Sequence, residues 1–394
     1  MAQPACPKDA PQERTQHPMH GPSHSNPLSV SALEAPVTPA APATPEGSST
    51  PARPGRATPL ACRLPVFAAP MFLVSGPELV VAACKAGIVG AFPTPNARPI
   101  EVLDEWMRRI TEALARARDE QAPGTVAAWC ANLVTHRSNG RLPEDLKLLA
   151  RYQPPVVVTA LGSPKPAIEV VHGYGGQVFA DVTSLTLARK AVEAGADGLA
   201  CICAGAGGHT GSINPFAFVS AVREFFSGTI VVGGGICDGW GVAGALAAGA
   251  DYVYMGTRFI AAAESMAQPA YKQMVVDSTV DDLMLTDRLT GTTASWLKPS
   301  LRASGLDPDH LPEAPSRNYD SNRSIDAAKR WRDMWAAGQG LGAVQAVEPV
   351  ALIVQRIEAE FQAARARFAA WQPAQGVAAP SLGSPASTAR IPQT

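Results

Sequence analysis

The stretch from Ser227 to Ile260, SGTIVVGGGICDGWGVAGALAAGADYVYMGTRFI, restricts the fold more than any other part of this chain. A β-branched run, Thr229–Val232, leads into Gly233, Gly234 and Gly235. A small-residue helix from Trp240 to about Ala248 follows and stops at Gly249. A second strand, Tyr252–Met255, is closed by Gly256-Thr257. Two successive strands thus each end in glycine, with one short helix between them. Glycine lets backbone N–H groups approach an anion closely, and a helix N-terminus adds partial positive charge. In (β/α)8 barrels the loops after the seventh and eighth strands often hold a phosphate. These two loops are read as a phosphate cradle, with tight turns alone as the plainer reading of the same glycines.

The same pattern extends upstream. Strands are expected at Val66–Phe72, Ile88–Phe92, Val126–Val134, Val156–Leu161, Val178–Val182 and Gly198–Ala204. Helices are expected at Pro77–Ala86 (Ser75 as N-cap), Pro99–Ala117, Pro143–Arg151, Lys165–Tyr174, Leu185–Ala194, Pro215–Phe226 and, after the last strand, Ala263–Val275. The fragments EAGADGLACIC and AAGADYVYMG repeat one helix–Gly–Ala–Asp–strand joint. Strict alternation implies parallel strands, and eight units imply a closed (β/α)8 barrel over residues 64–276. An open doubly wound sheet is the structural alternative. Residues 277–345 read as a smaller, mostly helical added region, with a helix Ser324–Ala337 carrying Trp331 and Trp335, and 346–371 as a long C-terminal helix.

The ends differ from this core. Residues 1–60 hold 13 of the 36 prolines and show no hydrophobic periodicity, so they are expected to be disordered, His17, His20 and His24 included. Residues 372–394 read the same way. The first segment has neither the apolar core of a signal peptide nor the arginine content of a transit peptide. A net charge of −1 without a Lys/Arg cluster argues against nucleic acid as a partner. No run of about 18 uncharged apolar residues argues for a membrane span. Seven scattered cysteines, none in C-x2-C spacing, suggest reduced thiols and a cytoplasmic location.

Active sites of such barrels lie at the C-terminal strand ends. His209 falls there, in the glycine-rich loop CAGAGGHTG after the sixth strand. Histidine is the usual acid or base near neutral pH, so His209 is the leading catalytic candidate, with His136 second. No cluster of metal-ligand spacing is present, no G-x-S-x-G elbow, and no G-x-G-x-x-G fingerprint after the first strand. A redox cofactor with a single phosphate fits this set better than a dinucleotide.

Six segments occur in order: AAPMFLVSGPELVVAACKAGIVG, AAWCANL, CAGAGGHTG, VVGGGI, YMGTRFI and AGQG. Together they closely resemble the nitronate monooxygenases, also called 2-nitropropane dioxygenase-like flavoproteins, over residues 64 to 368. The resemblance implies a barrel that binds flavin mononucleotide. It implies that Ala69, Pro70 and Met71 lie against the flavin ring and that Asn132 contacts it. Gly207 and Gly208 would border the ring, His209 would be catalytic, and Gly234, Gly235, Gly256 and Thr257 would hold the phosphate. Gln339 lies in a segment similar to the family's motif near the cofactor. Asp181 stands near the end of strand five, where some members carry lysine. The implied reaction is oxidation of an alkyl nitronate or nitroalkane by flavin and O2 to a carbonyl compound and nitrite. A flavin- and NAD(P)H-dependent enoyl reductase is the first rival, and a non-catalytic flavin- or phosphate-binding barrel the second. Homodimerisation is left open.

Overall fold

A computed structural model describes residues 59–313 and 331–371 of the chain. The expected disordered tails, the three tail histidines and the first part of the 324–337 helix lie outside those residues.

Eight parallel strands close into a barrel. They are β1 (Val66–Ala68), β2 (Val89–Pro93), β3 (Trp129–Val134), β4 (Val156–Ala160), β5 (Gln177–Val182), β6 (Gly198–Ile202), β8 (Thr229–Gly233) and β9 (Tyr252–Met255). The intervening β7 is the two-residue strand Gly208–His209, outside the barrel. Closure is made by β1 on β9, with Phe67 opposite Tyr254. Helices α1 (Pro77–Lys85), α2 (Ile100–Glu120), α3 (Leu142–Tyr152), α4 (Lys165–Gly173), α5 (Leu185–Glu193), α6 (Pro215–Arg223) and α7 (Gly239–Ala247) alternate with the strands.

Alternate strand residues point inward. Phe67, Ala91, Cys130, Val158, Phe179, Ala200, Val231 and Tyr254 come from all eight strands and form one buried cluster, which only the barrel interior allows. Phe67 packs edge-on against Tyr252 and Tyr254, with centroids 5.6 and 5.4 Å away. Such aromatic edges fill the interior and leave a packed core rather than a pore.

Two local departures from the sequence expectation have clear causes. Strand β1 stops at Ala68 rather than Phe72, because Pro70 has no N–H to give a neighbour. The chain instead turns through Leu73 at φ +60°. After β9, the expected 263–275 helix is split into a single turn, α8 (Thr257–Ile260), and α9 (Pro269–Asp277). Between them the Glu264 carboxylate accepts the N–H of Val350, 3.0 Å away, at the start of the final helix α11 (Val350–Ala370).

The region after the barrel contains α10 (Lys298–Ala303) and a small sheet that no local pattern predicts. Strands β10 (Leu283–Thr286) and β11 (Ala294–Leu297) form a hairpin, and β11 pairs antiparallel with β7. The described part of the 324–337 helix ends at Asp333. Trp335 lies beyond it, its backbone N–H held by the Ser300 hydroxyl at 2.6 Å.

Candidate active site at the carboxyl ends of the strands

The β1–α1 loop supplies one wall. Ala69 to Leu73 are half-buried, while the flanking Phe67, Ala68, Val74 and Ser75 are buried. The loop is tied down from below. The Ser75 hydroxyl donates to Ala69 O and accepts from Met71 N, at 3.2 and 3.0 Å. Gly76, not Ser75, is the N-cap of α1. Asn96 accepts from Leu73 N at 2.9 Å and donates to Met71 O and Ser75 O, at 3.0 and 2.8 Å. The sequence places Asn96 at the end of strand two but gives it no role. Only a partner 25 residues away in the chain reveals one.

The glycine loops meet as one assembly. Gly235 N and Gln339 N both donate to Gly205 O, at 3.1 and 2.9 Å. Gly338 N donates to the Thr257 hydroxyl at 2.8 Å. A Cβ on Gly207 would sit 2.7 Å from Gly338 N, and one on Gly234 would sit 2.5 Å from Ala204 O. These glycines are therefore required by close backbone approach. Strand register sets Gly233 beside Tyr254, so the loops carrying Gly234 and Gly256 are neighbours. Among the described residues, the backbone N–H groups of Gly234, Gly256 and Thr257 donate to no protein acceptor. Gly235 differs, since its N–H is spent on Gly205. The three remaining donors suit a phosphate. Gly256 also opens toward the β1 loop, where an added Cβ would meet Met71 Sδ at 3.6 Å.

Asn132 on β3 donates from Nδ2 to Val158 O at 3.1 Å and to Asp181 Oδ2 at 3.4 Å. Asp181 Oδ1 and the Tyr254 hydroxyl are buried and have no partner. Burial raises the Asp181 carboxyl to about pKa 7, against the opposing hydrogen bond from Asn132.

His209 sits on β7, opposite Ala294 of the added hairpin. Its ring meets the Trp331 indole edge-on, centroids 5.4 Å apart. Burial lowers its pKa, so the imidazole is neutral near pH 7. A neutral ring on a glycine-rich loop can accept a proton from a bound acid. His136 instead bonds Ser138 Oγ through Nδ1 at 2.7 Å. An open cleft of about 970 Å³ lies beside this region, lined by Phe72, Leu73, Arg98, Tyr271, Trp331 and Trp335 among others.

The structure thus places several of the residues expected from sequence close together: Gln339 bonds Gly205, Gly338 bonds Thr257, and Gly207 and Gly234 lie against neighbouring backbone. Tyr254 and Trp331 were missed as site residues. The alternation in YVYM offered a signal for Tyr254, since it shares a face with Tyr252. Nothing local pointed to Trp331.

The profile of the nitronate monooxygenase family matches residues 57–359. The chain belongs to that family. A nitronate monooxygenase of Paraburkholderia phytofirmans is 28% identical over 339 residues, covering 76% of this chain and 92% of the relative. A hydroxy-methyl-oxo-octahydro-indene carboxyl-CoA dehydrogenase of Mycobacterium tuberculosis is 28% identical over 240 residues, covering 60% of this chain and 64% of the relative. The nitroalkane oxidase of Streptomyces ansochromogenes superposes with a TM-score of 0.66 at 25% identity, covering 78% of this chain and 98% of that one. Family and fold together make this chain a flavin-dependent oxidoreductase acting on a small molecule. The glycine-lined donors and the unpartnered polar atoms at the barrel mouth fit a flavin with a phosphate tail. Among the described residues, no cluster of three metal-ligating side chains exists and no helix is long and apolar enough to cross a membrane.

Proposed function

We propose that the chain binds flavin mononucleotide and oxidises alkyl nitronates, or the nitroalkanes that yield them, with O2 to a carbonyl compound and nitrite. The observation that carries this reading is His209: a half-buried, neutral imidazole on a strand-end loop joined through Gly205 to the glycine assembly. Gly234, Gly256 and Thr257 would hold the phosphate, and Ala69, Pro70 and Met71 would support the ring. Asn132 would contact the ring, while Gly207, Gly208 and Gln339 would border it. Bound flavin supplies the electron-accepting chemistry and the route to O2. His209 removes the proton from the carbon beside the nitro group through its free ring nitrogen, and hydrogen-bonds the anion that results. The Trp331 indole against the ring limits water around that proton transfer. A cytoplasmic setting and O2 as co-substrate follow from the same reading.

A second reading is favoured by the carboxyl-CoA dehydrogenase among the relatives, 28% identical over 240 residues. It is the handling of a bulkier acyl substrate with NAD(P)H. Anaerobic titration separates the two. Bleaching of the flavin by an alkyl nitronate, with nitrite released on admitting air, supports the first. Bleaching by NADPH alone supports the second.

A further inference from the structure

Asp181 is the only Asp, Glu, Lys, Arg or His in the eight barrel strands. It follows Phe179 on the inward face of β5, one layer nearer the mouth of the barrel. The groups around it are few. Asn132 and Cys130 face it from β3 and Tyr254 from β9, Ala200 lies opposite it on β6, and the Cys201 thiol is on the outer face of that strand. The β4 strand contributes no titratable side chain, and none of these neighbours is a cation.

A carboxylate there is poorly served. Oδ2 takes one long hydrogen bond from Asn132, at 3.4 Å. Oδ1 is buried without a partner, and so is the Tyr254 hydroxyl. A buried charge with so few donors is disfavoured against the neutral acid. The neutral acid has a hydrogen to give, and no acceptor within the protein takes it. The residue as a whole is half-buried rather than fully enclosed.

We propose that the Asp181 carboxyl is a proton-dependent contact of the flavin site, donating a hydrogen bond from its protonated oxygen to a carbonyl or ring-nitrogen acceptor of the flavin and losing that contact on ionising. This rests on the flavin reading above. The burial that raises this carboxyl to about pKa 7 places its titration in the neutral range. Above that range a carboxylate would face the same acceptor and repel it. Flavin affinity therefore falls with rising pH, and reduction that adds negative charge to the flavin is opposed in the same direction.

The test is flavin mononucleotide binding to the full-length apoprotein, followed by flavin fluorescence between about pH 6 and about pH 8.5. In the wild type, Kd rises by up to about tenfold per pH unit once Asp181 ionises. In Asp181→Asn the side-chain amide remains a donor at every pH, and this rise is lost. Comparing the two proteins with one ligand cancels the ionisation of the flavin's own phosphate. Asp181→Ser, a smaller donor with no titration in this range, serves if the amide variant does not fold, and the same loss of pH dependence is expected. Parallel profiles for wild type and variants overturn the role of Asp181 while leaving the flavin site intact. Failure of both proteins to bind flavin at any pH overturns the flavin reading, and this proposal with it.

Discussion

The His209 ring and the Trp331 indole meet edge to face 5.4 Å apart, although 122 positions separate them in the chain (331 less 209). Trp331 in turn lies against the buried Trp296, at 4.4 Å between centroids. The candidate base sits on the loop that follows barrel strand β6, but its surroundings come from the added region. The strand pairing of β7 with β11 fixes the histidine's backbone, and the tryptophan pair limits its solvation.

His209→Asn should retain flavin and slow turnover of neutral nitroalkanes by about 10²-fold or more. Preformed nitronates need no proton removed and should lose far less. Steady-state kcat/KM for the two substrate forms checks this, and equal losses would remove His209 as the base.

The pH profile carries a sign. Burial lowers the His209 pKa below the ordinary 6.5, so nitroalkane turnover rises with pH and levels off above a midpoint lower than 6.5. Trp331→Ala admits water to the ring, and the midpoint should move up toward the ordinary value. A midpoint that Trp331→Ala leaves in place would argue against desolvation as the cause.

Gly235 has φ +70°, a conformation that side chains disfavour. Gly235→Asp adds that strain and places a negative charge beside the proposed phosphate donors. Flavin content of the purified variant should drop sharply. A fully loaded variant would count against the cradle.

Asn96→Ala removes three hydrogen bonds from the β1–α1 loop. Each lost partner of a sheltered group costs about 1–3 kcal/mol at most, less where water replaces it. The loop should loosen, with weaker flavin retention and a lower midpoint in urea. Unchanged retention would show that the loop holds its shape without Asn96.

Gly239→Ala tests the seam between α7 and α11. The added methyl would stand 2.2 Å from both Ile357 O and Phe361 N. Backbone cannot yield as a side-chain tip can, so a loss of about 1–3 kcal/mol is expected from overpacking. Thermal unfolding reads it, and an unchanged midpoint would mean that the final helix shifts freely.

Much of this architecture was legible in the order of residues. β-branched runs, glycine stops and proline at first helical turns mark the eight β-α units. Their boundaries agree wherever local chemistry decides, as at Tyr252–Met255. Boundaries fail where distant partners decide. Pro70 ends β1 early and Asn96 holds the loop beyond it, while Glu264 interrupts the expected last helix by meeting Val350. The pairing of β7 with β11 carries no local signature, since two residues beside a hairpin have no period to read.

The sequence by itself determined the barrel, because eight repeats of one local pattern admit few ways to bury their apolar faces. It also marked the glycine loops and His209, whose residue types and spacing are local facts. Tertiary structure decided what those residues do for one another. It spent the Gly235 amide on Gly205, left Asp181 with one weak donor, and set Trp331 against His209. Those outcomes turn on burial and on hydrogen-bond partners, which belong to the packed molecule and to no single segment of it.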